Sequence, residues 1–122
     1  NIFEAKLLAS MEIKNIADIE NAGEKILKLG SKAVLIKGGG LNNLRGKDFY
    51  IDLNGSRIWL TNKYVKTKNT HGSGCTLSAA ICGYLSLGLN LLESVKEAKS
   101  FVEKSLRNSY QIGSGPGPLG HY

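Results

Sequence analysis

Residues 66–76, Lys-Thr-Lys-Asn-Thr-His-Gly-Ser-Gly-Cys-Thr, carry a polar loop through two glycines into the start of an apolar run. That order suits anion binding. Gly72 and Gly74 lack a Cβ, so the backbone there can bring its N–H groups close to a ligand. The run from Leu77 onward predicts a helix, whose first turn offers unpaired N–H donors and a partial positive charge to a phosphate. Cys75 stands where that field is strongest, which favours its thiolate and makes it a candidate base. The expected anion site is therefore Gly72, Ser73, Gly74 and Cys75, flanked by Lys66 and Lys68.

Several elements must hold this loop. At the chain start, Asn1 and Glu4 have the spacing of a helix N-cap with its capping partner three residues on. Residues 15–29 space Ile16, Ile19, Ala22, Ile26 and Leu29 at helical intervals, with Asn15 as N-cap and Gly30 as stop. The run Ala33, Val34, Leu35, Ile36 is too short for a helix and reads as a strand buried on both faces in a parallel sheet. Lys37-Gly38-Gly39 follows at its C-terminal end, where open α/β sheets bind ligands. Asn54-Gly55 predicts a two-residue hairpin turn within about 47–62. The pairs expected from it are Leu53 with Ser56, Asp52 with Arg57, Ile51 with Ile58, Tyr50 with Trp59 and Phe49 with Leu60.

Beyond the loop, residues 75–87 read as a helix whose small residues Ala79, Ala80, Cys82 and Gly83 suit close approach to a sheet. Cys82 is accordingly expected in the core. Asn90 and Glu93 open a second covering helix with Leu91, Val95, Ala98, Val102 and Leu106 as its buried stripe. The glycine- and proline-rich tail 113–122 is expected to be irregular.

The stretch Asn69-Thr70-His71-Gly72-Ser73-Gly74-Cys75-Thr76 resembles the signature of the hydroxymethylpyrimidine and phosphomethylpyrimidine kinases of thiamin biosynthesis, within the ribokinase-like superfamily. The resemblance extends over essentially all 122 residues. It implies a ribokinase-like three-layer α/β/α sandwich of which residues 1–122 form the C-terminal half, as part of a single kinase domain. It implies an ATP- and Mg2+-dependent phosphotransferase, inactive as this portion alone. Cys75 would accept the proton of the substrate hydroxyl. Gly72, Ser73, Gly74, Cys75, Lys37 and Asn1 would meet the phosphates, and Glu4 would reach Mg2+ through its waters. Family members often carry histidine where Gly40 stands here, and their closing Gly-His-Gly-Pro-Leu-Asn-His is altered at Pro116 and Gly120. A pyridoxal or pyridoxine kinase, or a non-catalytic nucleotide-binding module, would share the loop.

Composition narrows the classes. With 42% hydrophobic residues and 15 glycines the chain can bury one modest core. No apolar run approaches the roughly 20 residues that span a bilayer. The order of a signal peptide is absent from the first residues, so a cytoplasmic setting is expected. Cys75 and Cys82 lack metal-site spacing and read as free thiols. The net charge of +6 is scattered, which suits a small anionic ligand better than a nucleic acid. The expected partner is a small pyrimidine, and an unpaired sheet edge favours a homo-oligomer.

Overall fold

The computed structural model describes residues 1–121, which pack as two compact units, Asn1–Thr61 and a second that begins at Asn62. In the first unit, helix α1 (Ile2–Ala9) begins with the full capping box expected of Asn1 and Glu4. The Asn1 side chain accepts the Glu4 N–H at 3.0 Å, and the Glu4 carboxylate sits 2.6 Å from the Asn1 amino group. Helix α2 (Ile16–Leu27) is capped by Asn15, whose Oδ1 accepts the Asp18 N–H at 2.9 Å. Ile19 and Ala22 are buried as expected, but Ile16 and Leu29 are exposed. The residue that brings α2 onto the sheet is Gly23, where a Cβ would come within 2.9 Å of the Phe49 ring.

Strands β1 (Ala33–Lys37), β2 (Lys47–Asp52) and β3 (Arg57–Thr61) form one sheet in the order β1-β2-β3. Both pairings are antiparallel, which corrects the parallel setting expected for residues 33–36. Chain length is the cause. Segment 38–46, folded into two 3-10 turns, is shorter than the dozen or more residues a parallel crossover needs. Nor is the strand buried on both faces, since Val34 and Leu35 are half-buried and only Ile36 is fully enclosed.

The hairpin forms where expected but in another register. Ile51 faces Arg57, Tyr50 faces Ile58 and Phe49 faces Trp59. Asp52 sets this register, because its Oδ1 accepts the N–H groups of both Asn54 and Ser56 at 2.9 Å. With Gly55 at φ +91°, the result is a three-residue loop with a left-handed glycine instead of the two-residue turn. The expected Asp52–Arg57 and Tyr50–Trp59 pairs are therefore absent. Arg57 instead reaches across to Glu20 at 3.1 Å and to Glu24. Trp59 packs on Phe49 with ring centroids 5.3 Å apart and donates its Nε1–H to Glu20 at 2.8 Å. Tyr50 is buried and donates its hydroxyl to Asp52 at 2.9 Å. These aromatic rings are committed to the core of this unit, not to stacking a base.

In the second unit, α3 (Ser73–Ser86) packs against α4 (Leu91–Arg107), which opens on the expected Asn90–Glu93 capping box. Val95 and Ala98 are buried, and so are Ser94, Lys99 and Ser105. On α3 only Leu77 is buried. Cys82, expected in the core, is exposed, as are Ala79 and Gly83. A Cβ at Gly83 would meet nothing within 4 Å. Small residues permit close approach but do not supply the element that approaches, and α4 covers a different face of α3. Among the described residues no helix is long and apolar enough to cross a membrane.

Candidate anion-binding site at the start of α3

The loop before α3 turns on Gly72, whose φ of +82° is left-handed and costs a glycine nothing. As the N-cap residue, Gly72 has no side chain to satisfy the first turn, and the helix start carries no side-chain cap among the described residues. Thr76 N–H closes the first helical bond on Gly72 O at 2.8 Å, while Ser73 N–H is taken by Thr70 O at 3.2 Å. Among the described residues the N–H groups of Gly72, Gly74 and Cys75 have no backbone acceptor. Of the four residues expected at the anion, Ser73 has its N–H engaged within the loop. Polar side chains usually fill this place at a helix start; here the sequence puts glycine there and leaves these donors and the helix dipole open to an anion.

Cys75 lies in that first turn with its thiol exposed. It also borders a shallow groove of about 360 Å3, lined with it by Thr76, Ala79, Ala80, Phe101 and His121. His71 is exposed and contributes its backbone, with its N–H donating to Gly117 O at 3.3 Å, in keeping with a loop-shaping residue.

Asn1, Glu4 and Lys37 form their own cluster in the first unit. Glu4 shares the capping box of α1 with Asn1, and Lys37 lies within electrostatic reach of its carboxylate. Glu4 is largely exposed, which fits contact with Mg2+ through water, since that ion keeps several waters and takes one or two carboxylates. Among the described residues no group of three or more His, Cys, Asp or Glu side chains could hold a metal on its own. The glycines after Lys37 answer to packing. A Cβ at Gly38 would lie 2.4 Å from Lys47 O, and one at Gly40 would lie 3.1 Å from Ile2. Gly38 N–H donates to Asp48 Oδ1 at 3.1 Å, so that donor is used within the fold.

What sequence reasoning missed is the tail. Residues 113–121 are irregular, as expected, yet they are tied to the loop at several points. Asn69 Oδ1 accepts Gly117 N–H at 3.1 Å, His71 and Pro118 form a parallel β-bridge, and Thr76 Oγ1 lies 3.0 Å from His121 Nε2. The available signal was the glycine at 117, where a Cβ would come 2.5 Å from Asn69 Oδ1.

Comparison with known proteins adds independent findings. The family model described as phosphomethylpyrimidine kinase matches residues 1–120. The hydroxymethylpyrimidine/phosphomethylpyrimidine kinase of Synechococcus elongatus is 47% identical over 123 residues, covering 100% of this chain and 46% of that protein. The enzyme of the same name from Bacillus subtilis is 36% identical, again over 100% of this chain and 45% of its own length. Among solved structures, an ADP complex of Bacillus subtilis pyridoxal kinase superposes with a TM-score of 0.92 at 33% identity, over 99% of this chain and 47% of that one. Pyridoxal kinase from Staphylococcus aureus in complex with AMP-PCP gives 0.90 at 33% identity, over 99% and 45%. The chain thus spans under half the length of these relatives.

Proposed function

The chain belongs to the phosphomethylpyrimidine kinase family, and from that premise we propose that it carries the phosphoryl-transfer part of an ATP-dependent kinase acting on hydroxymethylpyrimidine and its monophosphate in thiamin biosynthesis. Both units belong to one kinase domain in this reading. The observation that carries it is the pair of spare N–H donors on Gly74 and Cys75 behind a left-handed Gly72. Phosphoryl transfer needs positioning and stabilisation of the charge on the transferring group more than covalent chemistry. Preorganised N–H groups at a helix start supply that stabilisation without reorganising. Gly72 and Ser73 shape the turn, Gly74 and Cys75 donate to the phosphoryl oxygens, and the Cys75 sulfur accepts the proton of the attacking hydroxymethyl group.

ATP is the phosphoryl donor, a reading supported by the AMP-PCP and ADP complexes among the structural relatives. Asn1, Glu4 and Lys37 take the roles that the family resemblance gives them: Glu4 toward Mg2+ through water, Lys37 and Asn1 toward phosphate. Mg2+, when bound, neutralises charge on the phosphates. The pyridoxal kinases named above share the fold, whereas the sequence relatives named above are pyrimidine kinases, so the pyrimidine reading is preferred. A cytoplasmic setting goes with this reading. The isolated chain is expected to be inactive and to self-associate through the outer edge of β1, which among the described residues pairs only with β2.

The test is a chimera joining this chain to the remainder of the Synechococcus elongatus enzyme. Cys75→Ala in that chimera should remove most turnover of hydroxymethylpyrimidine while leaving ATP affinity nearly unchanged. Wild-type turnover in the variant would reduce Cys75 to an ordinary helix-start residue.

A further inference from the structure

We propose that Asn69 and His121 are positioning residues for the anion loop, gripping the two ends of a strap formed by residues 117–121. The proposal deepens the reading of Gly74 and Cys75 as anion donors and rests on it. At one end, Gly117 exchanges both backbone groups with the loop, giving its N–H to Asn69 Oδ1 at 3.1 Å and accepting His71 N–H at 3.3 Å. Asn69 is buried, and its own N–H is fixed by Thr67 Oγ1 at 3.1 Å. At the other end, the His121 ring stacks on Phe101 with centroids 6.2 Å apart and lies 3.0 Å from Thr76 Oγ1. Between these ends Gly120 donates to Ser105 O at 3.0 Å, and a Cβ there would come 2.3 Å from Asn108 O.

The anchors fall at 69–71 and at 76, on either side of residues 72–75. Everything between them is glycine, serine and one exposed cysteine, without a side-chain cap to hold the first turn of α3. A loop so built has no internal means of fixing the directions of its spare N–H groups. The strap supplies one, because it holds the backbone before Gly72 and the first turn after Cys75 to a common segment. Glycine at 117 and 120 follows from the same demand, since both positions lie closer to neighbouring backbone than any side chain permits.

The experiment compares the 15N-labelled chain with Asn69→Ala, Asn69→Asp, His121→Ala and His121→Gln, reading the Kd for ATP by calorimetry and hydrogen exchange at the Thr76 amide, whose 2.8 Å bond to Gly72 O closes the first turn of α3. Each alanine variant should weaken ATP binding by about tenfold. Exchange at Thr76 should rise while amides within α4 keep their protection. Asn69→Asp retains an acceptor for Gly117 N–H and His121→Gln retains a partner for Thr76, so both should recover most of the affinity. Wild-type Kd in the alanine variants, or exchange rising equally throughout α3 and α4, would overturn the proposal. If the wild-type chain bound no ATP, the functional reading would fail on its own, and the exchange comparison without ligand would still decide the strap.

Discussion

Replacing Gly38 with alanine separates the two uses a glycine can have after a strand. A Cβ at that position would stand 2.4 Å from Lys47 O and 3.0 Å from both the Cβ and O of Leu44. Ordinary contact begins near 3.4 Å, so the Lys47 carbonyl would have to retreat by the difference, about 1 Å. The obstacle is backbone, in the first residue of β2, and cannot rotate away as a side chain would. Forcing extra carbon into a packed site costs roughly 1–3 kcal/mol, and an immovable neighbour puts Gly38→Ala at about 3 kcal/mol. The shift also disturbs the 3.1 Å hydrogen bond from Gly38 N–H to Asp48. For a chain of this size the loss lowers the melting temperature by roughly 10 °C. Gly39→Ala is the control, since its Cβ would meet nothing within 4 Å and its φ is not left-handed. It should stay within about 0.5 kcal/mol of wild type, and lean toward stabilisation through the unfolded chain. Thermal unfolding followed by circular dichroism reads both. Equal melting temperatures for Gly38→Ala and wild type, or an equal fall in both variants, would refute the packing argument.

Other outcomes follow from the same geometry. Burial, and then the hydrogen bond to Asp52, push the Tyr50 hydroxyl from 10.0 up to about 12. The unfolded chain therefore loses that proton first as pH rises, so Tyr50 contributes stability that is complete below pH 10 and lost between 10 and 12. Tyr50→Phe should abolish the highest phenolate transition in an ultraviolet titration and flatten the alkaline loss of stability. Asn90→Ala removes the side-chain acceptor 2.9 Å from Glu93 N–H and should cost about 1 kcal/mol in denaturant unfolding. Both Cys75 and Cys82 should react with a thiol reagent in the folded chain, and Cys82→Ala should change stability by less than about 0.5 kcal/mol; one protected thiol would place Cys82 in a core after all.

Much of this was legible because local chemistry decides it. The caps at Asn1, Asn15 and Asn90, the strand at 33–37 and the glycine entry to α3 each follow from a few neighbouring residues. The hairpin register was lost because Asn54-Gly55 reads as a two-residue turn only if Asp52 stays out of it, and Asp52 instead takes two N–H groups of the turn. Strand direction was lost because an apolar run does not state its neighbour, whereas the short segment 38–46 excludes a crossover. Cys82 was misplaced because a helix with small residues on one face specifies what could lie there, not what does. Within the site, the glycines and Cys75 were readable, but the grip of Asn69 on Gly117 joins residues 48 apart in sequence and has no periodicity to announce it.

The central claim is that Gly74 and Cys75 present free N–H donors to a phosphate, and an amide-resolved NMR titration of the chain with ATP measures it directly. The account predicts that the Gly74 and Cys75 amide resonances move together and saturate along one binding curve, with Gly74→Val abolishing the shifts in a folded chain. Shifts confined to other amides, or unchanged in that variant, would place the anion elsewhere and contradict it.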